Sequence, residues 1–227
     1  MENKHKEELY LHKMNLLRKY NHDHPVLSQI GILPDKQFEE LLLQQRFLSF
    51  QFTPLYDEAE CFLNSKEARK VVRELRLEEY PARKPSHRQD LFTDLASMGL
   101  SKERIALIAP TEQTRQVIED LYAIVRPRIK ESAEEYDARC LAGLEMAEEK
   151  LVAETYEVIL PRLTRGYGLK ESVFFQPHAA HDDAHAKKLS KTVETLIQND
   201  STLQAAKEGL EKGFQARWNF YLQFYPT

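Results

Sequence analysis

Residues 132–163 read SAEEYDARCLAGLEMAEEKLVAETYEVILPRL, the longest stretch of the chain in which apolar side chains recur at helical spacing. Leu141, Leu144, Val152 and Ile159 mark its apolar side, and Gly166 and Gly168 beyond it supply a stop. A helix of this length has to be covered by other helices or left exposed, so the stretch points to an all-α fold.

The rest of the chain supplies the cover. Leu9, Leu11, Met14, Leu16 and Leu17 begin a first helix that ends before His24 and Pro25. Pro34 and Asp35 open a second, with Phe38, Leu41, Leu42, Phe47 and Leu48 on its buried side. Ser65 is a good N-cap for a helix carrying Ala68, Val71, Val72 and Leu75, which stops at Tyr80 and Pro81. After a proline loop, a helix starting near Ser86 places Leu91, Phe92, Leu95 and Met98 on one side and stops at Gly99. Ser101 restarts a short helix, and Pro110-Thr111 caps another that runs through Val117, Leu121 and Val125. A further helix covers roughly 171–199, with a break predicted near Pro177, and the last begins near Ser201. No repeat or linker divides the chain. The expectation is one domain over residues 1–227, a bundle of about seven or more helices.

Composition narrows the function. Seven glycines in 227 residues are too few for the turns of a β-sandwich or barrel. A net charge of −4, with no basic stripe interleaved with aromatics, argues against nucleic-acid binding. No run approaches the roughly 18 apolar residues of a membrane span. The charged N-terminus lacks a signal-peptide core, and two cysteines, Cys61 and Cys140, make no disulfide framework, so a cytoplasmic location is expected.

The chemistry is concentrated in His178-Ala-Ala-His181-Asp182-Asp183-Ala-His185. Positions i, i+4 and i+7 share one face of a helix, so His178, Asp182 and His185 project together. Two imidazoles and a carboxylate suit a divalent transition metal such as iron, manganese or zinc. The bland alternative is a solvated polar stretch. Apolar flanks (Val173, Phe174 and Phe175 before, Leu189 and Val193 after) weigh against it. His181 and Asp183 fall off the face and either support the ligands or are solvated. One helix cannot complete a metal site. On the long helix, Glu145 lies on the apolar side, where a carboxylate must be paired, protonated or metal-bound. Pairing with a buried Arg or Lys is the alternative to ligation. Glu148 and Glu149 read as solvated. Glu78 and Glu79 both extend the Val71-Val72-Leu75 stripe, and His87 opens the next helix on the side of Leu91.

Taken together, EEY…SHRQDLFTDLASMGL, LAGLE and FFQPHAAHDDAHA resemble the heme-oxygenase-like diiron oxidases, over about Ser65 to Leu189. The His-x3-Asp-x2-His portion is the specific part, and the glutamate–histidine portion is looser. The resemblance implies a heme-oxygenase-like helical bundle without haem and a ligand set of Glu79, His87, Glu145, His178, Asp182 and His185, with Glu78 as the alternative to Glu79. It also implies two Fe(II) ions, dioxygen as co-substrate, and oxidation of a small amine, amino acid or fatty acid by N-oxygenation, desaturation or C–C cleavage. Substrate, reductant and oligomeric state stay open, a homodimer included.

Competing readings predict other patterns. A ferritin-like diiron bundle needs two Glu-x-x-His helices, and only Glu2–His5 matches. A metal-free relative of the thiaminase or pyrroloquinoline-synthase branches would share the fold. Its cysteine nucleophile would fall to Cys140, which does not share a face with Glu145. The remaining alternative is a non-enzymatic, partner-binding bundle.

Overall fold

The computed structural model describes residues 2–78 and 87–225. Among the described residues the regular structure is helical throughout: α1 (Glu2–Asp23), α2 (Asp35–Ser49), α3 (Phe52–Phe62), α4 (Lys66–Glu78), α5 (His87–Ser97), α6 (Lys102–Leu107), α7 (Glu112–Val125), α8 (Ala133–Leu144), α9 (Leu151–Tyr167), α10 (Phe175–Leu196) and α11 (Asp200–Leu222). A π-helical segment, Glu145–Lys150, joins α8 to α9, so the long helix of the sequence is continuous but widened at its middle.

The boundaries follow from local chemistry. The Ser132 hydroxyl accepts from the Glu135 amide while the Glu135 carboxylate accepts from the Ser132 amide, a reciprocal cap on α8. Thr111 and Ser101 cap α7 and α6 in the same manner from one side only. Gly168 ends α9 at φ 67° and Gly99 follows α5 at φ 90°, backbone angles that carry little penalty without a Cβ.

The core forms around α8, the π-segment and α9. Helix α11 lies against α8 so closely that glycine is required: a Cβ on Gly209 would stand 2.1 Å from the Arg139 carbonyl oxygen, and one on Gly213 2.7 Å from that of Gly143. Helix α10 covers another side, and α1 packs on α11. Every residue from Tyr136 to Glu149 is buried, so the middle of the chain has no wet side.

Two expectations are corrected here. Pro177 does not break α10; it sits in the first turn, where a missing N–H costs nothing. Helix α3 has no counterpart in the sequence reading, because Pro54 hides it, again by occupying a first turn. No helix among the described residues is long and apolar enough to cross a membrane.

Candidate metal centre

Helix α10 carries the site, and its first turn is anchored before any functional residue appears. Asp94 of α5, itself buried, accepts hydrogen bonds from the Ser172 hydroxyl (2.5 Å) and from the amides of Val173 and Phe174 (3.0 Å each). The Ser172 oxygen in turn accepts from the Phe175 amide at 2.7 Å. These bonds satisfy N–H groups that a helix start leaves open and fix the turn leading to His178.

His178 Nδ1 lies 2.6 Å from the Phe174 carbonyl oxygen. A carbonyl only accepts, so Nδ1 carries the proton and Nε2 the lone pair in the neutral ring. A backbone carbonyl that orients an imidazole in this way is a common support for a metal-binding histidine. The ring packs beside Phe174 and Tyr156, with centroids 4.3 and 6.0 Å away.

One and two turns further on, Asp182 and His185 meet Glu149 of the π-segment. Ligand atoms of Glu149, Asp182 and His185 all lie within 4.8 Å of one another, and all three residues are buried. The Glu149 Oε2 oxygen is 3.2 Å from His185 Nδ1, and its Oε1 accepts from the Tyr56 hydroxyl of α3 at 2.5 Å. His185 Nε2 is 2.9 Å from Glu78 Oε2 at the end of α4, and Lys188 donates to the other Glu78 oxygen at 2.7 Å. Burial acts to lower the His185 pKa, but bonding and charge from Glu149 and Glu78 outweigh it and raise it. The Lys188 ammonium, helped by His185, holds the Glu78 carboxyl below its usual range.

Asp182 and His185 therefore come together as expected, with His178 one turn before Asp182 on the wall of a cavity that Asp182 also lines. Glu145 does not join them: it is buried against Lys13 of α1 (2.8 Å), whose ammonium also donates to Ser190. Burial pushes its carboxyl above the ordinary range, and Lys13 only partly offsets the effect. Glu79 and the side chain of His87 lie outside the described residues. His181 is exposed, and Asp183 pairs with Lys150 and Lys187.

The reading of Glu148 and Glu149 as solvated is corrected, since both are buried. Glu148 lies 3.0 Å from Arg217 of α11. Stripe reasoning assigns a wet side to every helix, and this one has none. The available signal was that Leu144, Met146, Leu151 and Val152 occupy all sides of the helix around the three acids, so each acid needed a partner. Tyr56 and Asp94 carry no such signal.

A buried carboxylate–imidazole cluster in a helical bundle is the class of site, and solved structures of similar shape define the class of fold. Solved structures that match nearly the whole chain include three from different organisms. A CADD-like protein of unknown function from Nostoc punctiforme is 11% identical, with TM-score 0.71, covering 96% of this chain and 97% of that one. A domain of unknown function with a heme oxygenase-like fold from Shewanella denitrificans is 13% identical, with TM-score 0.73, covering 98% and 91%. A TenA family transcription regulator from a Silicibacter species is 16% identical, with TM-score 0.54, covering 94% and 95%. No protein-family model matches the chain, and no curated protein matches it in sequence. The chain has the heme-oxygenase-like all-α fold.

Proposed function

We propose that the protein is a non-haem diiron oxidase or oxygenase that uses dioxygen to oxidise a small molecule. The observation that supports this most directly is the buried Glu149–Asp182–His185 cluster. Two carboxylates and an imidazole, shielded from water, form a donor set for a divalent transition metal, and buried acids need such a countercharge. Glu149, Asp182 and His185 would hold one ion. His178, Glu78 or Glu79, and His87 would serve the second, and Glu145, tied to Lys13, is the least suited of the six expected ligands. Bound Fe(II) would supply the electrons and open coordination positions that dioxygen needs.

The chain's own groups perform the positioning. Tyr56 donates to Glu149 and fixes the oxygen it turns toward His185. The Phe174 carbonyl holds the proton on His178 Nδ1 and leaves Nε2 as the donor nitrogen. Lys188 balances the charge of Glu78. Phe52, Val152 and Phe174 line the adjoining cavity and keep it partly dry for a substrate.

A metal-free reading draws on a different observation: His185 already bridges Glu78 and Glu149. A thiaminase-like reaction at Cys140 is disfavoured, because burial pushes that thiol up to about 12, and the thiolate is the nucleophile. Anaerobic Fe(II) titration of metal-free protein, followed by mixing with oxygenated buffer, separates the readings. About two irons bound per chain and a transient visible band after oxygen support the diiron assignment. No iron bound to a folded chain rejects it.

A further inference from the structure

Arg76, Arg104, Arg139, Arg162 and Arg217 are withdrawn from solvent in part or in full, and each faces a carboxylate. Arg46 of α2 is half-buried as well and has no such partner. Burial pushes its pKa down, and no acid among the described residues raises it again. Its Nε is enclosed without a hydrogen-bond partner among them. The guanidinium rests on rings instead, with Cζ 5.0 Å from the centre of Phe47 and 5.4 Å from that of Phe50. Ring faces offset part of the charge but give the N–H groups no oxygen to bond. A second cation shares the Phe50 ring. Arg88, exposed in the first turn of α5, has its Cζ 4.7 Å from the ring centre, and its Nη2 donates to the Phe50 carbonyl oxygen at 3.2 Å. That carbonyl is neutral, so Arg88 gains no countercharge from it. Arg88 also belongs to the wall of the cavity that His178 and Asp182 line.

Two guanidiniums on one ring repel each other, and an enclosed N–H without an acceptor is costly, so the pair calls for an anion. The count of charges selects which. A single carboxylate would balance one guanidinium and leave the other. A phosphate monoester carries close to two negative charges at neutral pH, and its three free oxygens suit the planar forks of two arginines. The cavity behind Arg88 has room for only about 40 Å³, so the charged end of such a ligand stays outside it. We propose that Arg46 and Arg88 form a seat for the phosphate group of a small phosphate monoester, held over Phe50 at the mouth of the cavity. The organic part of the ligand then points toward Asp182, with no more than a small group entering. The inference rests on the oxidase reading only in making this monoester the substrate.

The test is calorimetric titration of the full, metal-free chain with phenyl phosphate, inorganic phosphate, malonate and acetate at equal ionic strength. Phenyl phosphate binds at one site per chain, at least as tightly as inorganic phosphate, and acetate binds about 10- to 100-fold more weakly, the loss expected for one charged hydrogen bond. Arg46→Gln and Arg88→Gln each weaken phenyl phosphate by a similar factor, while Arg69→Gln, at an exposed position on α4, leaves it unchanged. The proposal is overturned if phenyl phosphate does not saturate a site, if malonate binds as tightly, or if Arg69→Gln costs as much as Arg46→Gln. Binding of inorganic phosphate but not of phenyl phosphate overturns it too, since the seat would then take only the free ion. The anion series on the unaltered chain decides the matter even where a variant does not fold. Phenyl phosphate binding by a chain that takes up no iron would sink the oxidase reading and leave this seat standing; iron uptake by a chain that binds no phosphate would do the reverse.

Discussion

Three glutamates leave the π-segment within one turn, and they meet three kinds of partner. Glu145 faces the Lys13 ammonium, Glu148 the Arg217 guanidinium, and Glu149 the Tyr56 hydroxyl and the His185 imidazole. All three are buried, so all three need compensation. The partners differ in what they can give up. Arginine and lysine remain cationic at neutral pH, and the carboxylates they pair with are committed. A histidine can release its proton and turn a lone pair toward a cation, and a tyrosine hydroxyl donates to a carboxylate whether or not a metal sits on its other oxygen. The same residue type on one turn thus has a structural use in two places and a use that a metal can take over in the third.

Exchanging the roles of Glu149 and Glu145 has the largest expected effect. Glu149→Ala is expected to lower Fe(II) affinity by about 100-fold or more, in line with loss of a ligand that orients its neighbours. Glu145→Gln is expected to bind iron as the unaltered chain does. Both are read by anaerobic titration on protein whose helicity and melting temperature are unchanged. Loss of iron in Glu145→Gln with retention in Glu149→Ala would move the ligand to Glu145 and make Glu149 the structural acid.

The two committed pairs should differ from each other in stability. Arg217→Met leaves Glu148 charged and enclosed, and removal of one member of a fully buried pair costs about 3–5 kcal/mol. Adding Glu148→Gln to it should recover much of that loss, because the stranded charge goes with it. Lys13 is 18% exposed and can be replaced in part by water, so Lys13→Met should cost less, about 1–3 kcal/mol. Urea unfolding of the metal-free forms measures all three. Equal costs for Lys13→Met and Arg217→Met would mean that solvent does not reach Lys13.

The comparison also marks how far the sequence could be read. Helix ends were legible because their causes are local: Ser132 with Glu135, Thr111, Gly99 and Gly168 act on backbone within a few residues. The His178–Asp182–His185 face was legible for the same reason, since one helix sets it. Glu149 was not, because its burial depends on distant helices, α10 and α11 among them, closing round the π-segment, and an acid off the Leu141–Leu144–Val152 stripe reads as solvated. Tyr56, Asp94, Lys13 and Arg217 reach the site from distant parts of the chain, and nothing near them in sequence announces the contact.

The smallest effect is the one that isolates Glu145. Its carboxyl is raised above the ordinary carboxylate range by burial, with Lys13 opposing. A carboxyl that is harder to ionise in the folded state binds more protons there than in the unfolded chain between pH 4.5 and its folded pKa, so this group's contribution to stability falls as pH rises through that window. Above that window the folded protein bears the cost of ionising Glu145 in a buried place. Glu145→Gln removes the titrating group, so the stability difference between the unaltered chain and the variant should shift toward the unaltered chain on acidification from neutral pH to about 4.5. Because Lys13 offsets part of the effect of burial, the change should be smaller than that from breaking either ion pair. Urea midpoints for both proteins across that range measure it. A shift in the opposite sense would mean that the Lys13 pairing outweighs burial, and that Glu145 is held as a stabilising ion pair rather than tolerated as a buried one.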